Sequence, residues 1–167
     1  MRIYTLTPCL IFISILLLSC SRYTPSPGTT TRTKEMAVPV ASGNMETSIL
    51  ANVNTHRRSL GLSSLQMMDA ANQQAFNHSK NMATDKTAFG HDGFSQRVRT
   101  IEQSAGKTTA SAENVAYGSL SAKEVVNVWL NSPPHRKNME GNYNFIGIGS
   151  YKDRRGVIYF TQIFIRK

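Results

Sequence analysis

Residues 157–165 read VIYFTQIFI, and residues 145–151 read FIGIGSY. Both runs have strand character, and the polar KDRRG at 152–156 joins them, so the pair predicts an antiparallel hairpin. Side chains alternate across a strand. In the run 157–165 Ile158, Phe160 and Phe164 share one face, while Val157, Tyr159, Ile163 and Ile165 share the other. Neither face is polar. A strand apolar on both sides needs cover on both sides of its sheet. The fold class this implies is α+β: a three-layer α-β-α sandwich with a small antiparallel sheet between helices.

The covering helices are expected upstream. Residues 45–60 place Met45, Ile49, Val53, His56 and Leu60 on one stripe. Gly61 then suits the left-handed position after a helix end. Residues 67–85 carry a second stripe of Met68, Ala71, Ala75, Ser79 and Met82, with His78 beside it. A short helix is expected over 94–103. The clearest start is Ser121-Ala122-Lys123-Glu124, a capping box ahead of the stripe Ala122, Val125, Val126, Trp129 and Leu130. Pro133 and Pro134 stop that helix. Ser132 followed by Pro133 is a good cap and first residue for a new helical turn.

The first residues read differently. Arg2 is a short positive region, and residues 10–18 are apolar except for Ser14. That run is shorter than the roughly 20 residues a membrane span needs and fits the apolar part of a signal peptide. It ends Leu17-Leu18-Ser19-Cys20, which resembles the bacterial lipobox. The resemblance implies cleavage before Cys20 and lipidation of its thiol. Residues 20–44 are dominated by Ser, Thr, Pro and Gly and read as a flexible tether. The expected layout is a lipoprotein signal peptide at 1–19, lipidated Cys and tether at 20–44, and one domain at 45–167. Cys9 and Cys20 are the only cysteines, so the domain has no disulfide, no thiolate metal site and no cysteine nucleophile.

The chain is basic, with 19 Lys and Arg against 10 Asp and Glu. Export and the absence of a basic stripe interleaved with aromatics argue against a nucleic-acid role. Attachment to a membrane through the lipid is the partner expected. Oligomeric state is not legible.

Four histidines could carry chemistry. His56 and His78 lie on or beside apolar stripes and read as structural. His91 sits between glycines in Phe89-Gly90-His91-Asp92-Gly93-Phe94, where the backbone can turn sharply and leave the ring accessible. His135 would lie near the positive end of the turn starting at Pro133, which favours a neutral imidazole able to bind a metal or take a proton. Glu113 is an acid among small and apolar residues in Ser111-Ala112-Glu113-Asn114-Val115-Ala116. No spacing rule joins His91, Glu113 and His135.

Several segments together resemble the CAP superfamily, the cysteine-rich secretory, antigen 5 and pathogenesis-related 1 proteins. They include Asn54-Thr55-His56-Arg57, His78-Ser79 with Asn81-Met82-Ala83, and Phe89-Gly90-His91. Ala112-Glu113-Asn114-Val115-Ala116 and Trp129 with Asn131-Ser132-Pro133-Pro134-His135-Arg136 follow. Ile146-Gly147-Ile148-Gly149 and Tyr159-Phe160-Thr161-Gln162-Ile163-Phe164 complete the series, in the family's order across 45–167. The match is closest to the short, disulfide-free bacterial branch. The resemblance implies an α-β-α sandwich and a cleft where His91, Glu113 and His135 converge. Many animal members carry a second Glu where this chain has Ser132.

Two functions are consistent with this. One is a non-enzymatic module at the bacterial outer membrane or cell surface, binding a lipid or cell-envelope component. The other is a metal-assisted hydrolase, with His91 and His135 holding zinc or another divalent cation and Glu113 as base.

Overall fold

The computed structural model describes residues 45–167. The signal segment, Cys20 and the tether lie outside the described residues. Among the described residues five helices and four strands follow in order. They are α1 (Met45–Ser59), β1 (Gln66–Met67), α2 (Asp69–Ala83), α3 (Phe94–Ala105), β2 (Ala110–Gly118), α4 (Ala122–Leu130), α5 (Pro133–Glu140), β3 (Phe145–Lys152) and β4 (Ile158–Arg166). Among the described residues no helix is long and apolar enough to cross a membrane.

The sheet order is β1-β3-β4-β2. β4 is central, antiparallel to β3 on one side and to β2 on the other. The sheet is mixed rather than purely antiparallel, because β1 joins β3 in parallel through Gln66 and Met67. The two faces of β4 divide as its alternation requires. Phe160 and Phe164 pack with Ile49 and Val53 of α1, Val125, Val126 and Trp129 of α4, and Met139 of α5. Ile163 and Ile165 pack with Ala71 and Ala75 of α2 and Ile101 of α3. Helices therefore cover both faces, giving the α-β-α sandwich.

Three local features set these layers. Ser121 and Glu124 form the full capping box at the start of α4. Trp129 is wholly buried, and its indole nitrogen donates to Val115 O of β2 at 3.3 Å, so α4 is tied to the edge strand as well as packed on the sheet. On the other face, Gly147 and Gly149 of β3 lie directly beneath the backbone of α2 at Ala71 and at Ala75–Phe76.

Two expectations about helices change. The buried stripe of α1 runs through Ile49, Val53 and Arg57, not through His56 and Leu60, and Leu60 is 52% exposed. Arg57 takes the inner position because it has carbonyls to meet. It donates to Ser63 O at 2.8 Å, Met139 O at 2.7 Å and Gly141 O at 2.9 Å, tying α1 to the end of α5. His56 lies beside it, half-buried, and bonds Glu140 at 2.8 Å. The second helix begins at Asp69 rather than 67, because Gln66 and Met67 pair with β3 first.

Candidate functional site

Glu113 lies on β2 opposite Ile163, on the face covered by α2 and α3. Its side chain is only 2% exposed. A buried carboxylate needs partners, and α3 supplies one. Arg97 donates through Nε to Oε2 and through Nη2 to Oε1, each at 2.8 Å, a two-pronged pair. The same guanidinium donates to Asp92 O at 2.8 Å and to His91 O at 3.4 Å, fixing the loop that carries His91. Gly93 in the left-handed region (φ 78°) turns that loop into α3.

His91 Nδ1 donates to Glu113 Oε1 at 3.0 Å. This bond sets the ring's orientation and leaves Nε2 for a ligand, on a side chain that is 52% exposed. His78, behind it on α2, is buried and donates from Nε2 to Gly90 O at 2.8 Å, with Glu113 Oε1 3.9 Å away. It holds the loop from below.

His135 approaches from the opposite layer. α5 starts at Pro133 with Ser132 as N-cap, but the Ser132 side chain makes no capping bond. A ladder of amides docks this helix on β2. Asn138 donates to Glu113 O at 3.2 Å and to Asn114 Oδ1 at 2.8 Å. Asn114 donates in turn to His135 O at 3.1 Å and to Gln162 Oε1 at 3.2 Å. Among the described residues His135 Nδ1 and Gln162 Nε2 are buried without hydrogen-bond partners. Burial lowers the pKa of His135, and the charge of His91 lowers it further. The neutral ring expected for His135 thus has burial as its main physical cause.

The two histidines and the acid are brought to one edge of the sheet, but in unequal roles. Both oxygens of Glu113 are engaged, Oε1 by His91 and Arg97 and Oε2 by Arg97. Catalytic zinc takes three protein ligands. Here the bond to Glu113 leaves His91 Nε2 open, an arrangement metal-binding histidines share, while Glu113 itself is paired with Arg97. Among the described residues no group of three His, Cys, Asp or Glu is placed to hold a metal ion. The described residues thus offer two imidazoles, short of the three protein ligands of a catalytic zinc centre.

Arg97, Asn114, Asn138 and Gln162 escaped sequence reasoning. For Arg97 a signal existed. Phe94, Arg97, Val98 and Ile101 fall on one helical stripe, and a lone arginine there needs a buried acid.

The buried histidines carry a pH dependence. Burial lowers the pKa of His78, outweighing the raising effect of its bond to Gly90, and the pKa of His135 is lowered as well. The unfolded chain therefore takes up protons near the free value of about 6.5, where the folded chain resists them. Stability is complete above about pH 6.5 and falls as the pH drops through that value. Melting followed by circular dichroism between about pH 7.5 and pH 5 is expected to show a falling Tm. His78→Gln, which can still donate to Gly90 O, is expected to flatten the slope. A Tm that holds or rises on acidification contradicts this.

Similarity to known proteins agrees with this fold. The family model described as the cysteine-rich secretory protein family, CAP, matches residues 50–164. The Bacillus subtilis protein YkwD is 30% identical over 146 residues, 85% of this chain and 55% of that one. The crystal structure of an extracellular SCP-domain protein from Bacillus anthracis superposes with a TM-score of 0.65 at 27% identity, covering 86% of this chain and 45% of that one. An outer surface protein from Borrelia burgdorferi shares the fold with a TM-score of 0.63 at 21% identity, covering 74% of this chain and 93% of that one. The chain thus spans about half the length of the two Bacillus proteins.

Proposed function

The chain belongs to the cysteine-rich secretory protein (CAP) family, and from that premise we propose that it is an exported, non-catalytic domain that binds a component of the bacterial cell envelope through the His91–His135 edge of its sheet. The observation that carries this reading is the state of Glu113. Its two oxygens meet Arg97 and His91, and on this reading Glu113 serves to orient a histidine rather than to activate water. What remains open to a ligand is His91 Nε2, a neutral His135 and the surrounding surface.

Export is supported by the signal-like segment and by the extracellular and outer-surface descriptions of the Bacillus anthracis and Borrelia proteins. Cys20 is proposed as the lipid attachment point that keeps the domain at the membrane. Two acyl chains suffice for stable anchoring where one is marginal.

The test is sedimentation with isolated envelope fractions, using the chain carrying Cys20→Ser so that no lipid anchors it. Saturable binding is expected. His91→Ala combined with His135→Ala is expected to lower the bound fraction at least fivefold. The unsubstituted chain should fractionate with membranes and the Cys20→Ser chain should not. Stoichiometric zinc uptake that disappears in the double variant would identify a metal centre and overturn the non-catalytic reading.

A further inference from the structure

The α2 face of the sheet ends in a row of tyrosines that the His91 site does not use. Tyr117 of β2 pairs with Tyr159 of β4, and Tyr159 pairs with Tyr151 of β3. Three phenol rings therefore stand side by side on adjacent strands. Tyr117 and Tyr159 stack with centroids 5.7 Å apart and planes 21° from parallel. Phe89, two residues before His91, meets Tyr117 edge-on at 4.8 Å. Phe76 of α2 meets Tyr151 the same way at 5.9 Å, and Lys80 Nζ lies 5.9 Å above the Tyr151 ring. Tyr117 is 58% exposed and Phe89 48%. Rings placed only for packing would be buried, whereas these leave aromatic surface in water at the end of the row.

At its other end the row opens into a groove of about 550 Å³ between the last turn of α2 and the β3–β4 turn, lined in part by Thr84, Asp85, Tyr151, Lys152, Arg154 and Arg155. Asp153 is turned inward there. It accepts from Arg155 N at 2.8 Å and Val157 N at 2.9 Å and pairs with the Arg155 guanidinium at 3.0 Å. Asp85 is the remaining acid of the groove. Lys152 and Arg154 are exposed and form no ion pair among the described residues.

We propose that the tyrosine row and this basic groove form one binding surface for an acidic glycan, a run of sugar rings bearing carboxylates. The C–H face of a pyranose ring is weakly positive and apolar, and it lies well against the negative face of an aromatic ring. Tyrosine presents that face at small entropic cost and adds a hydroxyl for the sugar's own hydroxyls. Tyr151 is packed by Phe76 and Lys80, so the ring offered to a sugar is that of Tyr117, 58% exposed at the end of the row. Arg154 of the β3–β4 turn then meets a carboxylate with two parallel bonds. The groove is walled by charged side chains rather than by the apolar lining an acyl chain needs, which favours a glycan over a lipid. This surface rests on the reading of the chain as an envelope-binding module and names the chemistry it recognises.

The experiment is calorimetric titration of the Cys20→Ser chain with three probes: an oligogalacturonate, an N-acetylglucosamine oligomer of equal length, and anionic phospholipid vesicles. The oligogalacturonate is expected to bind saturably and more tightly than the neutral oligomer. Tyr117→Ala should weaken both sugars at least tenfold, and Tyr117→Leu, which keeps bulk without a ring, should do the same. Arg154→Ala should erase the preference for the acidic sugar. Unaltered affinity in the Tyr117 variants, equal affinity for the two sugars, or binding to vesicles alone overturns the proposal. If envelope sedimentation persists while the Tyr117 variants behave as the parent, this surface falls and the His91–His135 reading stands. If neither sugars nor envelope bind, both fall.

Discussion

Gly149→Ala is expected to destabilise the domain by more than about 3 kcal/mol, a large part of the roughly 5–15 kcal/mol that holds a domain folded. The side chain at this position of β3 points at α2. A Cβ there would fall within van der Waals contact of Phe76 N and Cα and of the Ala75 carbonyl carbon. These are backbone atoms of a helix, so no rotamer change relieves the clash, and the whole helix must rise. Rising breaks what the close approach permits. Ser79 donates to Gly149 O at 3.0 Å and bonds Thr161 at 2.8 Å, and both bonds are buried. It also lifts His78 away from Gly90 O, and with it the loop carrying His91. Gly147, beneath the Ala71 carbonyl, is subject to the same argument. Urea unfolding of the alanine variant measures the effect, and a loss below about 1 kcal/mol would show that the helix is free to move.

The sandwich was legible because β4 carries its own instruction. A run apolar on both faces demands two covering layers wherever the rest of the chain goes, and the two clusters divide along its alternation. α4 was equally plain, since its cap and its stripe are both local. What escaped was structure imposed from a distance. Residues 110–118 hold small residues and a lone acid and carry no strand pattern of their own. They become β2 because nine residues of β4 offer a template opposite them. Arg57 escaped for a related reason. Periodicity places it beside an apolar stripe, but only the distant carbonyls of Met139 and Gly141 make its burial favourable. At the site, the resemblance pointed to His91, Glu113 and His135, whereas their division of labour depends on Arg97. Its partner is sixteen residues away on another element, a distance no helical or strand period encodes.

That partner makes the second large effect. Arg97→Met is expected to destabilise the domain by about 3–5 kcal/mol, the loss found when one member of a buried ion pair is removed. The side chain of Glu113 has almost no contact with water, and methionine keeps the bulk of the arginine stem while removing every donor. The carboxylate would then keep its hydrogen bond to His91, with His78 Nε2 3.9 Å away, and must draw in water or pull the loop inward. Arg97→Lys preserves the charge but not the two-pronged geometry, and an intermediate loss is expected. The decisive comparison is Arg97→Met with Glu113→Leu. If the arginine serves to compensate a buried acid, removing the acid as well recovers much of the stability lost in the single variant. The bond that orients His91 is not recovered, so binding to envelope fractions should stay weak while the unfolding free energy returns. A double variant as unstable as Arg97→Met alone would place the arginine's value in its bonds to Asp92 O and His91 O instead. Recovery of both stability and binding would show that the ligand does not depend on the orientation of His91, and would move the weight of recognition to the exposed aromatic surface beside it.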